Sequence, residues 1–464
     1  MGDKTAHFIS SFAAPLDPAF QPAIIVNRQY VAAAKKSGKA VPLVLGLERE
    51  EGLISRYETW VMPEADAATL QYVERTVKFL LWARGGWKLF IGGPKGIGEF
   101  IRQTYAPAGA RKFDCHLMEA AYGKPFKVVL TTPEKVPTHR EMETAVGAHL
   151  DGCRIGFDLG ASDYKVSAVV DGEAVFTEEM PWDPKSQSNP DYHYHHISSA
   201  LHRAAAHLPR VDAIGGSSAG VVVDNEIRVA SLFRAVPKKD FSRAARIFKR
   251  LQKEWNVPLT VMNDGDVTAL AGALSLRTKG VLGLAMGSSQ AAGFLDKQGR
   301  ILGWLNELAF APVDYNPAAA ADEWSGDRGV GALYFSQQAV NKLLPAAGIS
   351  LPESMGLPER LKEVQTLMAG GDARAAKIYE TIGVYLGYAL PYYREFYDFR
   401  HALILGRVTT GQGGDIVMRV AREVLEKEFP ATAAKIQLHV PDEKSRRVGQ
   451  AVSAASLPES SGAP

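Results

Sequence analysis

The sequence predicts a two-lobed α/β fold in which one arrangement of strands and helices is used twice, preceded by an additional α/β N-terminal domain. Three observations carry this expectation. Between Arg154 and Leu276 three short strand patterns are followed by alternating helix and strand, and the same order returns between Val281 and Phe429. A separate α/β pattern occupies the stretch from Val41 to Leu130. The chain has 464 residues, enough for two to four units of the usual size, roughly 100 to 200 residues each. Its 46% hydrophobic and 22% charged residues suit a globular protein with a sizeable core.

Residues 1 to about 35 carry scattered apolar side chains with little periodicity. Val41 to Leu47 and Leu53 to Met62 read as strands around a turn at Glu51 and Gly52. Leu70, Val73, Val77, Leu80 and Leu81 share one helical face, and Trp87 to Ile91 is a buried strand. Gly93, Gly96 and Gly98 then lead into a helix with Phe100 and Ile101. They lack the closing Lys and Ser or Thr of a nucleotide-binding glycine loop and read as a plain strand-to-helix turn. After a strand at Phe126 to Leu130, the polar, proline-containing stretch Thr131 to Glu141 reads as a linker to a short helix. A domain boundary is placed near 131 to 150, giving an N-terminal unit of 1–150 and a main domain of 151–457 with lobes of about 151–278 and 279–457.

In the first lobe, Arg154 to Phe157, Lys165 to Val170 and Ala174 to Glu178 are strands of a meander. A helix at Ile197 to His207, a strand at Val211 to Ile214, a helix at Phe241 to Trp255, a strand at Leu259 to Met262 and a helix at Val267 to Leu276 follow. In the second lobe the strands are Val281 to Ala285, Ala292 to Leu295 and Ile301 to Leu305. Helices near 330–343 and 372–396, a last strand at His401 to Leu405 and a helix at Asp415 to Phe429 complete it. The end, SLPESSGAP, small and polar with two prolines, reads as a disordered tail, counted from residue 458 to 464.

Charge excludes some roles. Lys plus Arg number 53 against 51 Asp plus Glu, a balance that argues against general nucleic-acid or membrane-surface binding. The basic run Lys238, Lys239, Arg243, Arg246, Lys249, Arg250 and Lys253 is backed by Phe241, Ala244, Phe248, Leu251 and Trp255 and reads as a solvated helix face. Two cysteines, Cys115 and Cys153, form no zinc-type pair, and no signal peptide or apolar run of ~18 residues is present, so a cytoplasmic protein is expected. His193, His195 and His196, set among Tyr192 and Tyr194, read as a polar helix entrance rather than a metal site.

Three glycine-rich turns carry chemistry. In FDLGAS, Asp158, Gly160 and Ser162 leave a buried strand, so that the glycine permits close backbone approach while a carboxylate projects, which suits phosphate and magnesium. Gly287, Ser288, Ser289 and Gly293 repeat the idea in LAMGSSQAAGFLD, where amides and hydroxyls donate to anionic oxygen. Gly406, with Gly413 and Gly414, forms the third, between a strand and a helix N-terminus. Asn263 and Asp264 end a buried strand before a helix held by Val267, Leu270, Ala271 and Leu274. Asp264 is either a helix cap or a functional carboxylate in the cleft.

The segment VMNDGDVTALAGA resembles the catalytic segment of the ROK group of sugar kinases and transcriptional repressors, within the actin-like ATPase (duplicated ribonuclease H-like) superfamily. IGFDLGASDYKVSAVVDG resembles the group's first phosphate motif, AIGGSSAG its sugar-side glycine turn and LAMGSSQAAGFLD its second phosphate motif. GDARAAKIYETIGVYLGYAL with ILGRVTTG resembles the adenosine region, and the likeness covers about two thirds of the chain. The resemblance implies Asp264 as general base, with Asn263, Glu307, Gly216 and Ser217 binding the sugar. It implies phosphate or nucleotide contacts from Asp158, Gly160, Ser162, Gly287, Ser288, Ser289 and Gly406, with Asp158 organising magnesium.

The departures are Phe310, where the family has a sugar-contacting histidine, the missing zinc-binding cysteine cluster, and Ala161 and Asp163 in the first phosphate motif. Zinc is therefore not expected, whereas ATP and magnesium are. The expected activity is ATP-dependent phosphorylation of a hydroxyl of a sugar or polyol, by a possible homo-oligomer with neither nucleic-acid nor membrane partners. The alternative is a carbohydrate-sensing protein of the same fold without a DNA-binding helix-turn-helix. A third reading makes the N-terminal unit a protein-contact or oligomerisation module.

Overall fold

A computed structural model describes residues 12–50, 52–141, 147–160, 162–229, 231–440 and 443–459. The short helix expected after Glu141 and the last residues of the tail lie outside these.

The N-terminal unit runs α1 (Ala23–Lys36), β1 (Val41–Glu48), β2 (Ile54–Val61), α2 (Ala67–Arg84), β3 (Lys88–Gly92), α3 (Lys95–Thr104), α4 (Lys112–Tyr122) and β4 (Lys127–Thr131). Its sheet has the order β2-β1-β3-β4, antiparallel except for β3 and β4, whose parallel pairing follows from the helical crossover between them. The α2 helix starts at Asp66, which accepts a hydrogen bond from the Thr69 amide at 2.8 Å. The sequence shows no stripe for α1 or α4, because their buried faces include Asn27 and Asp114.

The first lobe comprises β5 (Cys153–Leu159), β6 (Asp163–Val170), β7 (Glu173–Pro181), α5 (Pro190–Ala205), β8 (Ala213–Ser218), β9 (Val221–Val223), β10 (Glu226–Val229), α6 (Phe241–Ala245), α7 (Ile247–Trp255), β11 (Leu259–Asn263) and α8 (Asp264–Leu276). Its sheet is β11-β8-β5-β6-β7, with β11, β8 and β5 parallel. The single helix expected over Phe241 to Trp255 is divided at Arg246.

The second lobe comprises β12 (Val281–Met286), β13 (Gln290–Leu295), α9 (Gln337–Leu343), α10 (Leu357–Ala369), α11 (Ala373–Arg394), β14 (His401–Leu405), α12 (Gly411–Glu428), α13 (Pro430–Ala433) and β15 (Gln437–His439); α14 (Glu443–Ala455) follows. Its sheet is β13-β12-β14-β15, so β14 is not the last strand. The strand expected at Ile301 to Leu305 does not form. Ile301 makes one isolated bridge to Leu295, and the Leu305 amide donates instead to the Arg84 carbonyl at the end of α2.

Two tertiary relationships differ from the linear division of the chain. The core of the N-terminal unit (Leu43, Val73, Trp82, Met118) is continuous with that of the second lobe (Leu284, Phe294, Tyr385, Val417). The α4 helix also touches the β9–β10 hairpin of the first lobe, so the unit bridges both lobes. The α14 helix returns to the first lobe, packing on β5, β8 and α8. It carries the start of the expected tail with it: Ser456 and Leu457 are buried, and the Pro458 carbonyl accepts from Arg154 Nη1 at 2.7 Å.

Candidate active site

Parallel strands place their C-terminal ends at one edge of a sheet, where open α/β folds bind ligands. In the first lobe the register sets Asp158 beside Ser217 and Ser218 beside Asn263. Ser217 Oγ donates to Asp158 Oδ1 at 2.7 Å and accepts from Gln450 Nε2 of α14 at 3.1 Å. Burial raises the Asp158 carboxyl to a pKa of about 6. The Ser217 hydrogen bond and Lys165 oppose the rise, and the charge of Asp264 adds to it. Gly216 lies inside β8 with the Phe157 ring in its side-chain space. The turn beyond it is Ala219 and Gly220.

Asn263 is the helix cap: its Oδ1 accepts from the Gly265 amide at 2.7 Å, while its Nδ2 donates to the Gly220 carbonyl at 2.9 Å. Asp264 is thereby released from capping and stands as the first residue of α8, its Oδ1 3.0 Å from the Gly265 amide. The helix N-terminus favours its charge, yet burial outweighs this and raises its pKa. The first turn of α8 lies directly on β13 of the second lobe. A Cβ on Gly293 would stand 2.0 Å from the Gly265 carbonyl oxygen, so only glycine allows this approach. Asp264 is therefore held where the lobes meet.

Glu307 reaches the same place from the second lobe. Asp266 Oδ1 accepts from Asn306 Nδ2 at 2.8 Å and from the Phe294 amide at 3.3 Å, while Tyr397 donates to Asn306 Oδ1 at 3.1 Å. These bonds hold Asn306 at φ 53° and so set the direction of Glu307. The backbone of the loop hangs on the end of α2: Asn306 donates to the Ala83 carbonyl and Glu307 to that of Trp82, both at 3.0 Å. Burial, reinforced by Asp264 and Asp266, raises Glu307 to about 7. Asp266 rises to about 7 as well, again mainly by burial and against its two hydrogen bonds.

Phe310, three residues after Glu307, packs its ring against aromatic side chains of the N-terminal unit, its centroid 4.4 Å from that of Trp82 and 5.6 Å from that of Phe113. Trp82 is fixed in turn by Asp114, which also receives Lys78 Nζ at 2.7 Å. Arg75, Arg111 and Lys78 all pair with Asp327, and Glu74 pairs with Arg75 and Arg111, so three cations and three acids form a neutral buried network behind these rings.

The phosphate-like turns lie at the corresponding strand ends. Gly160 donates to the Asp163 carbonyl at 3.0 Å, and Lys165 Nζ meets Asp163 Oδ1 at 2.7 Å, so a carboxylate occupies the mouth of this turn. Ser162 is on the same turn, its Oγ donating to Asp163 at 3.0 Å. Gly287, Ser288 and Ser289 join β12 to β13 with both serines exposed, and the Gly287 carbonyl accepts from the Gln337 amide at 2.9 Å. The register of β12 and β14 then sets Gly406 beside Met286. At φ 108°, with a hypothetical Cβ 2.4 Å from the Met286 carbonyl oxygen, position 406 requires glycine.

Solved structures share this fold. A ROK hexokinase from Thermus thermophilus superposes with a TM-score of 0.51 at 18% identity, covering 65% of this chain and 97% of its own. A ROK family glucokinase from Streptomyces griseus, in complex with glucose and AMPPNP, gives 0.50 at 17% identity, covering 66% and 99%. The chain has the ROK fold. A ROK family transcriptional regulator described as a homologue of the E. coli MLC protein gives 0.52 at 18% identity and covers 84% of this chain and 96% of its own. No family model matches the sequence, and no curated protein matches it.

Within the ROK fold, Asp158, Ser217, Asn263 and Asp264 gather on the first lobe. Glu307, Gly287 to Ser289 and Gly406 come from the second. Asp266, Asn306 and Gln450 support this set without having stood out in the sequence. Asp266 had a local signal, a second acid two residues after Asp264, whereas Gln450 and Asn306 are recognisable only from tertiary contacts.

Proposed function

We propose that this chain belongs to the ROK family and is an ATP- and magnesium-dependent carbohydrate kinase acting on a hydroxyl of a sugar or polyol. The observation that carries the reading is the position of Asp264: relieved of capping by Asn263, the first residue of α8 where its opening turn lies on β13 of the second lobe, and near enough for its charge to raise the carboxyl pKa of Asp158 and Glu307. In this role Asp264 accepts the proton of the hydroxyl as its oxygen attacks the terminal phosphate, a contribution of roughly 10² to 10⁴-fold. Glu307 and the Asn263 amide orient neighbouring hydroxyls, with Ser217 and Gly216 behind them. The turns at Gly160 and Ser162 and at Gly287, Ser288 and Ser289 hold the phosphates, and Gly406 lies beside the adenosine.

Asp158 fits a magnesium role. Its Oδ1 is fixed by Ser217, and magnesium in kinases is commonly held by one or two carboxylates with substrate phosphates and water. Among the described residues no group of three His, Cys, Asp or Glu side chains could hold a metal by itself. Magnesium bound with the nucleotide would neutralise phosphate charge, while Ser217 holds the Asp158 carboxylate in place.

The test is ATP consumption by the purified protein with magnesium across hexoses, amino sugars, inositols and other polyols. Stimulated turnover with one class supports the kinase. A specific observation favours a second reading, a carbohydrate sensor: Phe310 packed on Trp82 gives a hydroxyl no polar partner at that position. Thermal stabilisation by a carbohydrate without any stimulated turnover would establish that reading instead.

A further inference from the structure

At the junction of the N-terminal sheet and the second lobe lies a cavity of about 610 Å³, within the usual size range of small-molecule sites. It is separate from the phosphate turns. The cavity includes Asp296 and Arg300, just beyond one end of β13, whereas Gly287 to Ser289 precede the other, roughly 20 Å away for a strand of this length.

The wall carries five cationic side chains, Arg56, Arg84, Arg140, Lys297 and Arg300, against three acidic ones. Each acid is already engaged: Glu141 by Arg49, Asp296 by Arg300, and Asp398 by Lys297 and Arg394. Arg84 and Arg140 pair with no carboxylate among the described residues. Arg84 is 9% exposed, its guanidinium lies 3.6 Å from the centre of the Trp304 ring, and one of its nitrogens donates to the Phe396 carbonyl. Its Nε is buried without an acceptor. A buried guanidinium without a counter-ion is costly, and its pKa falls to about 10, chiefly through burial, which Tyr397 and then Glu141 only partly offset.

We propose that this cavity binds a phosphate dianion, either free or as the phosphate group of a small metabolite, with Arg84 and Arg140 as its principal cations. The excess of two cations on the wall matches the charge of about −1.5 to −2 on a phosphomonoester near neutral pH. Guanidinium groups suit the planar, bidentate recognition of phosphate oxygens. The cavity adjoins the Glu307 loop, because the Arg84 carbonyl accepts from the Leu305 amide, two residues before Glu307, and Trp304 begins the same loop. The binding site stands independently of the kinase reading.

The test is calorimetric titration of the full chain with inorganic phosphate, glucose 6-phosphate and glucose, beside Arg140→Ala and Arg84→Met. Arg140 is exposed, so its truncation leaves the fold intact. Saturable binding of a phosphorylated probe that weakens about tenfold or more in Arg140→Ala is expected, the loss of one charge-assisted contact. Tighter binding of the sugar phosphate names a phosphorylated metabolite as the occupant, and equal binding names free phosphate. Binding that is unchanged in Arg140→Ala, or absent for both phosphorylated probes, overturns the proposal, whether or not Arg84→Met folds.

Discussion

The backbone N–H of Glu307 donates to the carbonyl of Trp82 at 3.0 Å, across 225 positions of sequence. The residue proposed to orient the sugar is thus suspended from the last turn of α2 in the N-terminal unit, which is consequently a structural part of the cleft.

Removal of residues 1–141 is therefore expected to abolish folding, because it strips about a third of the buried residues of a shared core and exposes the face around Phe294 and Tyr393. Circular dichroism and size-exclusion chromatography of the truncated chain check this. A soluble, cooperatively folding product would show that the second lobe is independent. Within the full chain, Trp82→Ala should lower stability by about 3–5 kcal/mol, read by urea denaturation.

The buried network makes a sharper prediction. Asp114→Ala leaves Lys78, fully buried, dependent on Asp327 at 3.2 Å and should cost about 3–5 kcal/mol. Adding Lys78→Met to Asp114→Ala should recover part of that loss, since the unpaired charge is then gone. An additive double mutant in denaturation experiments would contradict the account.

Asp266 is predicted to act as a positioning residue. Asp266→Ala frees Asn306 and should raise the KM for the carbohydrate about tenfold or more while nucleotide affinity stays nearly constant. Asn306→Gly, which tolerates φ 53° but lacks the amide, should retain more activity than Asn306→Ala. Steady-state kinetics separate the two effects.

Stability and activity should respond oppositely to pH. Asp158, Asp266 and Glu307 hold their protons up to about 6, 7 and 7 in the folded chain, against ordinary values of 3.8, 3.8 and 4.5. The folded state therefore binds more protons between about pH 4 and 7, and stability falls as pH rises through that window, by up to about 1.4 kcal/mol per proton per unit. Turnover should rise with pH as the Asp264 carboxyl, its pKa raised by burial, ionises. Asp266→Asn should flatten the stability slope, measured by thermal melts from pH 5 to 8.

Much of this architecture is legible locally. The strands leading to Asp158, Asn263, Gly287 and Gly406 are apolar runs closed by glycine or acidic turns, so their ends and the residues on them can be placed from sequence. What escapes is tertiary. The Ile301 to Leu305 segment has strand composition, yet Ile301 makes only an isolated bridge and the Leu305 amide is taken by the end of α2. The α4 helix buries Asp114 and conceals its period, and Ser456 to Pro458 are buried because α14 carries them onto the first lobe. Nothing in the local pattern of Asn306 reveals that Asp266, 40 residues earlier, holds it.

The central claim is that Asp264 takes the proton of a bound hydroxyl. Asp264→Asn keeps the shape of the side chain but removes the base. Once a stimulating carbohydrate is known, its turnover should fall by about 10² to 10⁴-fold, with ATP affinity measured by titration almost unchanged. Turnover equal to that of the parent chain, with nucleotide still bound, would contradict the assignment.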